Sequence, residues 1–136
     1  MSNLFHFLFV GIGGAMGSMA RYSLSGFVGL RLGSHSEWGT LAVNVLGSFM
    51  IGFLAFLLTH VAKESLSAEL RSFFIVGVCG GFTTFSAFSL EIFKLMDQQE
   101  WLRAGLYSAG SVFFCVLAVA LGYYLAGCCF KQSFGI

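Results

Sequence analysis

The chain contains no proline and very few charged residues. Only 10% of its 136 residues are Asp, Glu, Lys or Arg, whereas 57% are hydrophobic. Soluble domains carry about 25% charged residues, so this chain has too little polar surface to cover a core in water. We therefore predict an integral membrane protein. Because proline is absent, any break in a helix must come from glycine, serine or threonine.

Basic clusters and cysteine frameworks are also missing. The formal net charge is only +1, and no Lys/Arg cluster of the kind that displaces counterions from nucleic-acid phosphates is present. The four cysteines lie in or beside apolar runs, without the spacing of a zinc site or of a disulfide framework. No His, Cys or carboxylate cluster has catalytic spacing. The sequence thus argues against a nucleic-acid-binding protein and against an enzyme.

Charged residues divide the chain into four long uncharged stretches. A hydrocarbon core about 30 Å thick needs about 20 helical residues, so four spans account for almost the whole chain. We predict an all-α membrane protein with one domain, residues 1–136. Its short linkers make successive helices antiparallel neighbours in a bundle. The predicted spans are approximately 4–30, 38–61, 71–96 and 102–127.

Lys and Arg are divided almost evenly between the two predicted sides of the membrane. The side of the N-terminus holds Lys63, Arg71 and Lys131, and the other side holds Arg31, Lys94 and Arg103, with Arg21 as a marginal addition. The rule that the basic side is cytoplasmic therefore sets no orientation. Two interpretations stay open, a weak bias resolved by other features, or insertion both ways up to form an antiparallel homodimer. Four helices are too few to enclose a pore alone, so transport would need a partner surface.

The third predicted span is poorly suited to a continuous helix. It contains Gly80 and Gly81 followed by Thr83 and Thr84, and both residue types have low helix propensity. We predict a broken helix near the bilayer midplane. Unwound backbone at that depth lines a wet or ion-filled site, where free carbonyls can bind ions. The alternative is a glycine surface for packing against another helix.

Two other spans carry polar or small residues at four-residue spacing, which places them on one helix face. These residues are Thr40, Asn44, Ser48 and Gly52 in the second span, and Tyr107, Ser111 and Cys115 in the fourth. An intramembrane Asn is often only a hydrogen-bonding contact between helices. Two such stripes beside a broken helix predict a path for a polar solute.

Arg21 and Glu91 are the charges within reach of the spans. Gly13, Gly17 and Arg21 share one helix face, so this helix can approach another closely and present the guanidinium beyond the contact. An Arg at such depth should face protein or water and would favour anions, unless it only reaches back to the membrane surface. Glu91 can be a proton carrier, a hydrogen-bond acceptor or a charge at a helix end.

These residues resemble the Fluc, or CrcB, family of small fluoride channels over essentially the whole chain. The matching motifs are Gly39–Asn44, with Gly47 and Gly52 after it, Gly80–Ser89, and Gly13–Gly17 leading to Arg21 and Tyr22. The resemblance implies a passive fluoride channel in the bacterial inner membrane. It further implies a dual-topology antiparallel homodimer with two pores and a structural sodium ion at its centre.

The resemblance also implies roles for individual residues. Phe85 and Phe88 would flank the fluoride ions, Asn44 would be a pore donor, and the main-chain carbonyls of Gly80 and Thr83 would hold sodium. The other expected pore residues are Thr40, Thr84, Ser86, Tyr107 and Ser111, with Arg21 and Glu91 as vestibule charges. Cys115 and Val119 depart from the hydroxyl-bearing track typical of the family, and Ala87 stands where Thr is common.

Two other functional classes compete with a channel. A small proton-coupled drug exporter would need a carboxylate in the first span, where this chain has Arg21. A membrane assembly subunit that transports nothing would need no ion-lined break. We therefore predict a passive fluoride channel.

Overall fold

The computed structural model describes residues 2–32, 36–60 and 68–134. Within these ranges the backbone is helical except at 83–84 and 98–100. The elements are α1 (Ser2–Leu32), α2 (Ser36–His60), α3 (Arg71–Cys79, with the wider turns of a π-helix), α4 (Gly80–Phe82), α5 (Phe85–Asp97) and α6 (Trp101–Phe134).

Four helical segments are long and apolar enough to cross a membrane. They are Leu4–Arg31, Glu37–His60, Ala68–Asp97 and Trp101–Phe130. The third segment comprises α3, α4 and α5. The predicted all-α, multi-pass membrane architecture is therefore confirmed. Some sequence predictions lie outside the described residues. These are Lys63, position 61 at the predicted end of the second span, and the side chain of Lys131.

Helix α2 lies at the centre of the bundle and contacts every other helix, with its most extensive contact along α6. Glycines allow these two backbones to approach closely. A Cβ atom added at Gly52 would overlap the backbone of Val119, and one added at Gly122 would overlap the carbonyl of Phe49. Small residues of this kind are what brings helices together in lipid, where the hydrophobic effect gives no drive for association.

Helix α1 lies against the first half of the third span. Its glycine face makes this contact, because a Cβ at Gly13 would overlap the carbonyl of Phe73 and one at Gly17 would overlap that of Val78. Arg21 continues the same face one turn later and is half-buried. The face predicted from four-residue spacing thus lies where two helices touch.

The third span loses helical geometry at two threonines. Helix α4 ends at Phe82, Thr83 and Thr84 are extended (φ −79°, ψ 158° and φ −149°, ψ 112°), and α5 begins at Phe85. The depth of this segment in the bilayer stays a prediction.

A short turn then joins α5 to α6. It places Gln99 in the left-handed region (φ 62°) and lets the Glu100 N–H donate to the Leu95 carbonyl at 2.8 Å. Because this connection is so short, α5 and α6 are antiparallel neighbours, which brings Tyr107 opposite Glu91.

Candidate functional site

The extended segment of the third span is held by the side chain of Asn44 on α2. The Thr84 N–H donates to Asn44 Oδ1 at 2.8 Å, and Asn44 Nδ2 donates to the Thr84 carbonyl at 3.1 Å. Since a backbone N–H can only donate, it determines which way the amide is turned. The side chain therefore replaces the hydrogen bonds that Thr84 would make in a continuous helix. The amide has a second N–H, and no acceptor for it is found among the described residues.

The start of α5 is capped by its own threonine. Thr84 Oγ1 accepts from the Ala87 N–H at 3.2 Å and lies 3.2 Å from Ser86 Oγ. This is the usual bond between an N-cap side chain and the third helical residue. At the end of α4, the N–H and the hydroxyl of Thr83 both donate to the Cys79 carbonyl at 2.9 Å.

Because of these bonds, two backbone N–H groups no longer donate to the carbonyls that they would bond in a continuous helix. In a continuous α-helix the Thr84 N–H would donate to the Gly80 carbonyl, and the Ala87 N–H to the Thr83 carbonyl. Here Asn44 takes the first donor and the Thr84 hydroxyl takes the second. The two carbonyls that the resemblance assigns to sodium are thus among those that lose their usual helical partners at the interruption, as the carbonyls of Gly81 and Phe82 also do.

The two phenylalanines of α5 lie together at a groove. Phe85 is 77% exposed and Phe88 only 7%, and their ring centroids are 5.5 Å apart with the planes at 52°. The groove has a volume of about 340 Å³. Its lining brings together Asn44, Ser48, Thr83, Thr84, Phe85, Phe88, Ser111 and Cys115. Most of the pore residues expected from the sequence therefore share one surface, although their roles in conduction stay predictions.

Glu91 lies inside the bundle and accepts two short hydrogen bonds. It is 8% exposed. Thr40 Oγ1 on α2 donates to its Oε1, and the Tyr107 hydroxyl on α6 donates to its Oε2, both at 2.7 Å. The Tyr107 ring in turn lies 5.4 Å from that of Phe88, centroid to centroid. Glu91 thus acts as an acceptor that joins three helices, while its role as a vestibule charge stays a prediction.

The hydroxyl of Ser111 is buried in the groove, close to that of Tyr107. Ser111 is 5% exposed, and its Oγ makes no hydrogen bond of good geometry within the described part of the chain. It lines both the groove of the phenylalanines and a second groove of about 280 Å³ beside Tyr107 and Arg103. A hydroxyl buried in this way is costly unless a solute or water completes its bonding.

Other predicted site residues lie away from these two grooves. Ser86 is exposed at the start of α5, and Arg21 is half-buried on α1; neither lines either groove. Ala87, on the first turn of α5, supplies only its backbone N–H to the cap. Cys115 continues the lining after Ser111, whereas Val119 belongs to a neighbouring groove.

Sequence reasoning missed an ion pair beside these residues. Arg103 Nη2 lies 3.3 Å from Glu37 Oε1, and Arg103 Nη1 donates to Glu100 Oε2 at 2.8 Å. The sequence does place Arg103 on the polar stripe of α6, because it precedes Tyr107 by four residues.

The chain matches a family model over residues 8–123, and that model is described as CrcB-like protein, Camphor Resistance (CrcB). The chain belongs to the CrcB-like family. Curated relatives are each named fluoride-specific ion channel FluC. One from Opitutus terrae is 46% identical over 120 residues, which cover 88% of this chain and 91% of the relative. One from Rhizobium meliloti is 47% identical over 88% and 94% of the two chains, and one from Thermus thermophilus is 47% identical over 89% and 93%.

This membership confirms the family predicted from the motifs. It identifies the chain as a member of a channel family and not as an enzyme. Among the described residues, no three His, Cys, Asp or Glu side chains are grouped to hold a metal.

The contact between Asn44 and Thr84 leads to a stability prediction. Asn44→Leu keeps a similar volume but leaves the N–H and carbonyl of Thr84 without partners, so we expect a loss of about 2 to 4 kcal/mol. Asn44→Asp keeps the acceptor and should lose less. Thermal unfolding in detergent measures the difference, with Ser48→Ala, one turn further along α2, as the control. An unchanged unfolding temperature for Asn44→Leu would show that this contact does not hold the segment.

Proposed function

We propose that this protein is a passive, fluoride-selective channel through which fluoride leaves the cell. The observation that carries the proposal is the open groove in which two phenylalanines lie beside the buried hydroxyl of Ser111, which makes no hydrogen bond of good geometry within the described residues. The edge of an aromatic ring is positive and can approach an anion. Hydroxyl and amide donors can replace the water that the anion loses. Relatives covering nearly the whole chain are named as fluoride-specific channels.

The working unit in this proposal is an antiparallel homodimer with two pores. One subunit presents its groove as an open surface, with Phe85 largely exposed along it, so a second surface is needed to enclose an ion. The nearly equal division of Lys and Arg allows both orientations to insert. A second copy in the opposite orientation would close one groove on each subunit. The named relatives come from bacteria, which supports placement in the inner membrane.

A sodium ion at the centre of this dimer completes the proposal. The Gly80 and Thr83 carbonyls have lost their usual helical donors, and Gly80 lies exposed on the surface of one subunit. Two such carbonyls from each copy would supply four oxygens. Hard cations prefer oxygen ligands, and converging carbonyl dipoles inside a membrane need a cation among them. The residues present therefore fit a structural sodium ion, which would neutralise these dipoles and hold the subunits together.

Liposome flux tests the channel itself. Purified protein in vesicles should release fluoride down its gradient and retain chloride. Ser111→Ala should slow fluoride release by about 10-fold or more, because a hydrogen bond to a charged group contributes about 1.5 to 3 kcal/mol. Ser108→Ala is the matched control, since that hydroxyl bonds only to the Gly105 carbonyl. Equal release of both anions, or release of neither, would contradict the proposal.

Orientation can be locked to test antiparallel pairing. Adding three Lys to the turn at 98–100 in one version, and three Lys after the C-terminus in another, should force the two versions into opposite orientations. We expect each version alone to be inactive and fluoride flux to return when both are made together. Versions carrying added Gln instead of Lys control for the insertions. Full flux from one locked version alone would exclude antiparallel pairing.

The sodium site can be tested at Gly80. A Cβ there would meet only the Ile75 carbonyl, at an ordinary 3.7 Å, so Gly80→Leu should leave one subunit folded but block the dimer and its flux. Gly105→Leu is the control, because nothing lies within 4 Å of that position. Thr83→Ser keeps the main-chain ligand and should stay active. Replacing sodium with a large organic cation should abolish flux or weaken the dimer. Full flux without any small cation would argue decisively against the site.

A further inference from the structure

Three charged side chains meet where α2 and α6 begin. The Arg103 guanidinium lies 3.3 Å from Glu37 Oε1 and 2.8 Å from Glu100 Oε2. Among the described residues one cation thus faces two carboxylates, so these three side chains together carry a formal charge of −1. The Arg103 side chain is 41% exposed and that of Glu37 15%. The guanidinium is therefore accessible to an approaching ion, while Glu37 is held against the protein.

This charged group lies at the end of the polar stripe of α6. Arg103, Tyr107 and Ser111 follow one another at four-residue spacing, which places them on one helix face. Glu37 and Arg103 line the groove of about 280 Å³ whose lining also includes Tyr107 and Ser111. Ser111 also lines the groove of the two phenylalanines. The ion pair is thus joined through Ser111 to the surface that carries the proposed pore.

We propose that Arg103 and Glu37 set the rate at which fluoride enters and leaves this end of the polar stripe. The guanidinium attracts the anion, and the carboxylates of Glu37 and Glu100 reduce that attraction. Arg103 therefore acts as a rate-setting charge and Glu37 as the residue that offsets it. This inference rests on the proposed fluoride conduction.

The charges of the group are better suited to this role than to stabilising the bundle. Ion pairs as exposed as Arg103 and Glu100 contribute little to the stability of a fold. They can still act on a mobile anion, because at 0.1 M salt a charge acts over about 10 Å. At 1 M salt this distance falls to about 3 Å. Control of entry by charge must therefore weaken as salt rises, whereas an effect of packing would not.

Charge variants in liposomes test the inference. At 20 mM salt, Glu37→Gln should raise fluoride flux by about two- to fivefold and Arg103→Gln should lower it by a similar factor, as expected for one charge acting at close range through water. The double variant restores the net charge of −1 and should return flux to near the wild-type value. At 1 M salt the differences among all four proteins should largely disappear.

Two further sets of variants separate charge from structure. Arg103→Lys loses the forked contact with both carboxylates but keeps the positive charge. Because the charge is what sets the rate in this proposal, the variant should conduct like the wild type. Asp97→Asn and Lys94→Gln remove one charge of each sign from exposed positions on α5 that do not line the groove, and should change flux by a smaller factor than the variants at Glu37 and Arg103. Thermal unfolding in detergent identifies any variant that has lost its fold.

Each outcome decides the inference. Salt-independent changes, a fall in flux for Glu37→Gln, or equal effects at Asp97 and Lys94 would overturn it while leaving the channel function intact. A wild-type protein that conducts no fluoride would overturn the channel function and this inference together. A salt-dependent rise and fall in the two single variants, cancelled in the double variant, would support it.

Discussion

The backbone of a membrane protein has no water with which to exchange hydrogen bonds, and the third span depends on how this constraint is met. Thr83 and Thr84 are extended, which inside hydrocarbon would cost several kcal/mol for each polar group left bare. Asn44 meets that cost by pairing with both the N–H and the carbonyl of Thr84. A single side chain on α2 thus makes the interruption of its neighbour possible.

Asn44 does not satisfy every polar group at the break, and the groups left over lie on one side of it. Asn44 and the Thr84 hydroxyl satisfy donors on the α5 side of the break, which leaves the Gly80 and Thr83 carbonyls on the other side without their helical partners. Acceptors therefore remain at the end of α4, while Asn44 itself lines the groove. In the proposed channel, the carbonyls at this break would face a cation, whereas the groove would take an anion. This separation adds to the support that the groove gives the proposal.

Hydropathy and glycine spacing predicted much of this fold, because both depend on local composition. The four spans follow from apolar length, and the face of Gly13 and Gly17 follows from a spacing of four residues. The low helix propensity of Thr83 and Thr84 pointed to the segment that is extended. The resemblance to a known family, in turn, supplied the pore residues that the groove brings together.

The partners of buried polar groups could not be predicted in the same way. Glu91 had three interpretations of equal merit, and only the packing of three helices brings Thr40, 51 positions away, within 2.7 Å of its carboxylate. Contacts of this kind depend on the rotation of each helix about its axis, which a single sequence leaves open. Arg103 was similarly counted only as a charge on one side of the membrane. Its contact with Glu37 depends on how α2 and α6 lie against each other.

The polar groups inside the bundle differ in how far their hydrogen bonds are completed within the subunit. Thr40, Tyr107 and the Thr84 backbone have partners there, so these bonds fix the geometry of the helices. Ser111 lies near the Tyr107 hydroxyl but makes no such bond of good geometry. A buried hydroxyl whose bonding is poorly completed costs stability, and in the proposed channel an anion would complete it. Fluoride forms strong hydrogen bonds because it is small. The same small size makes its hydration strong, so the donors of the proposed channel would have to replace more water for fluoride than for larger anions.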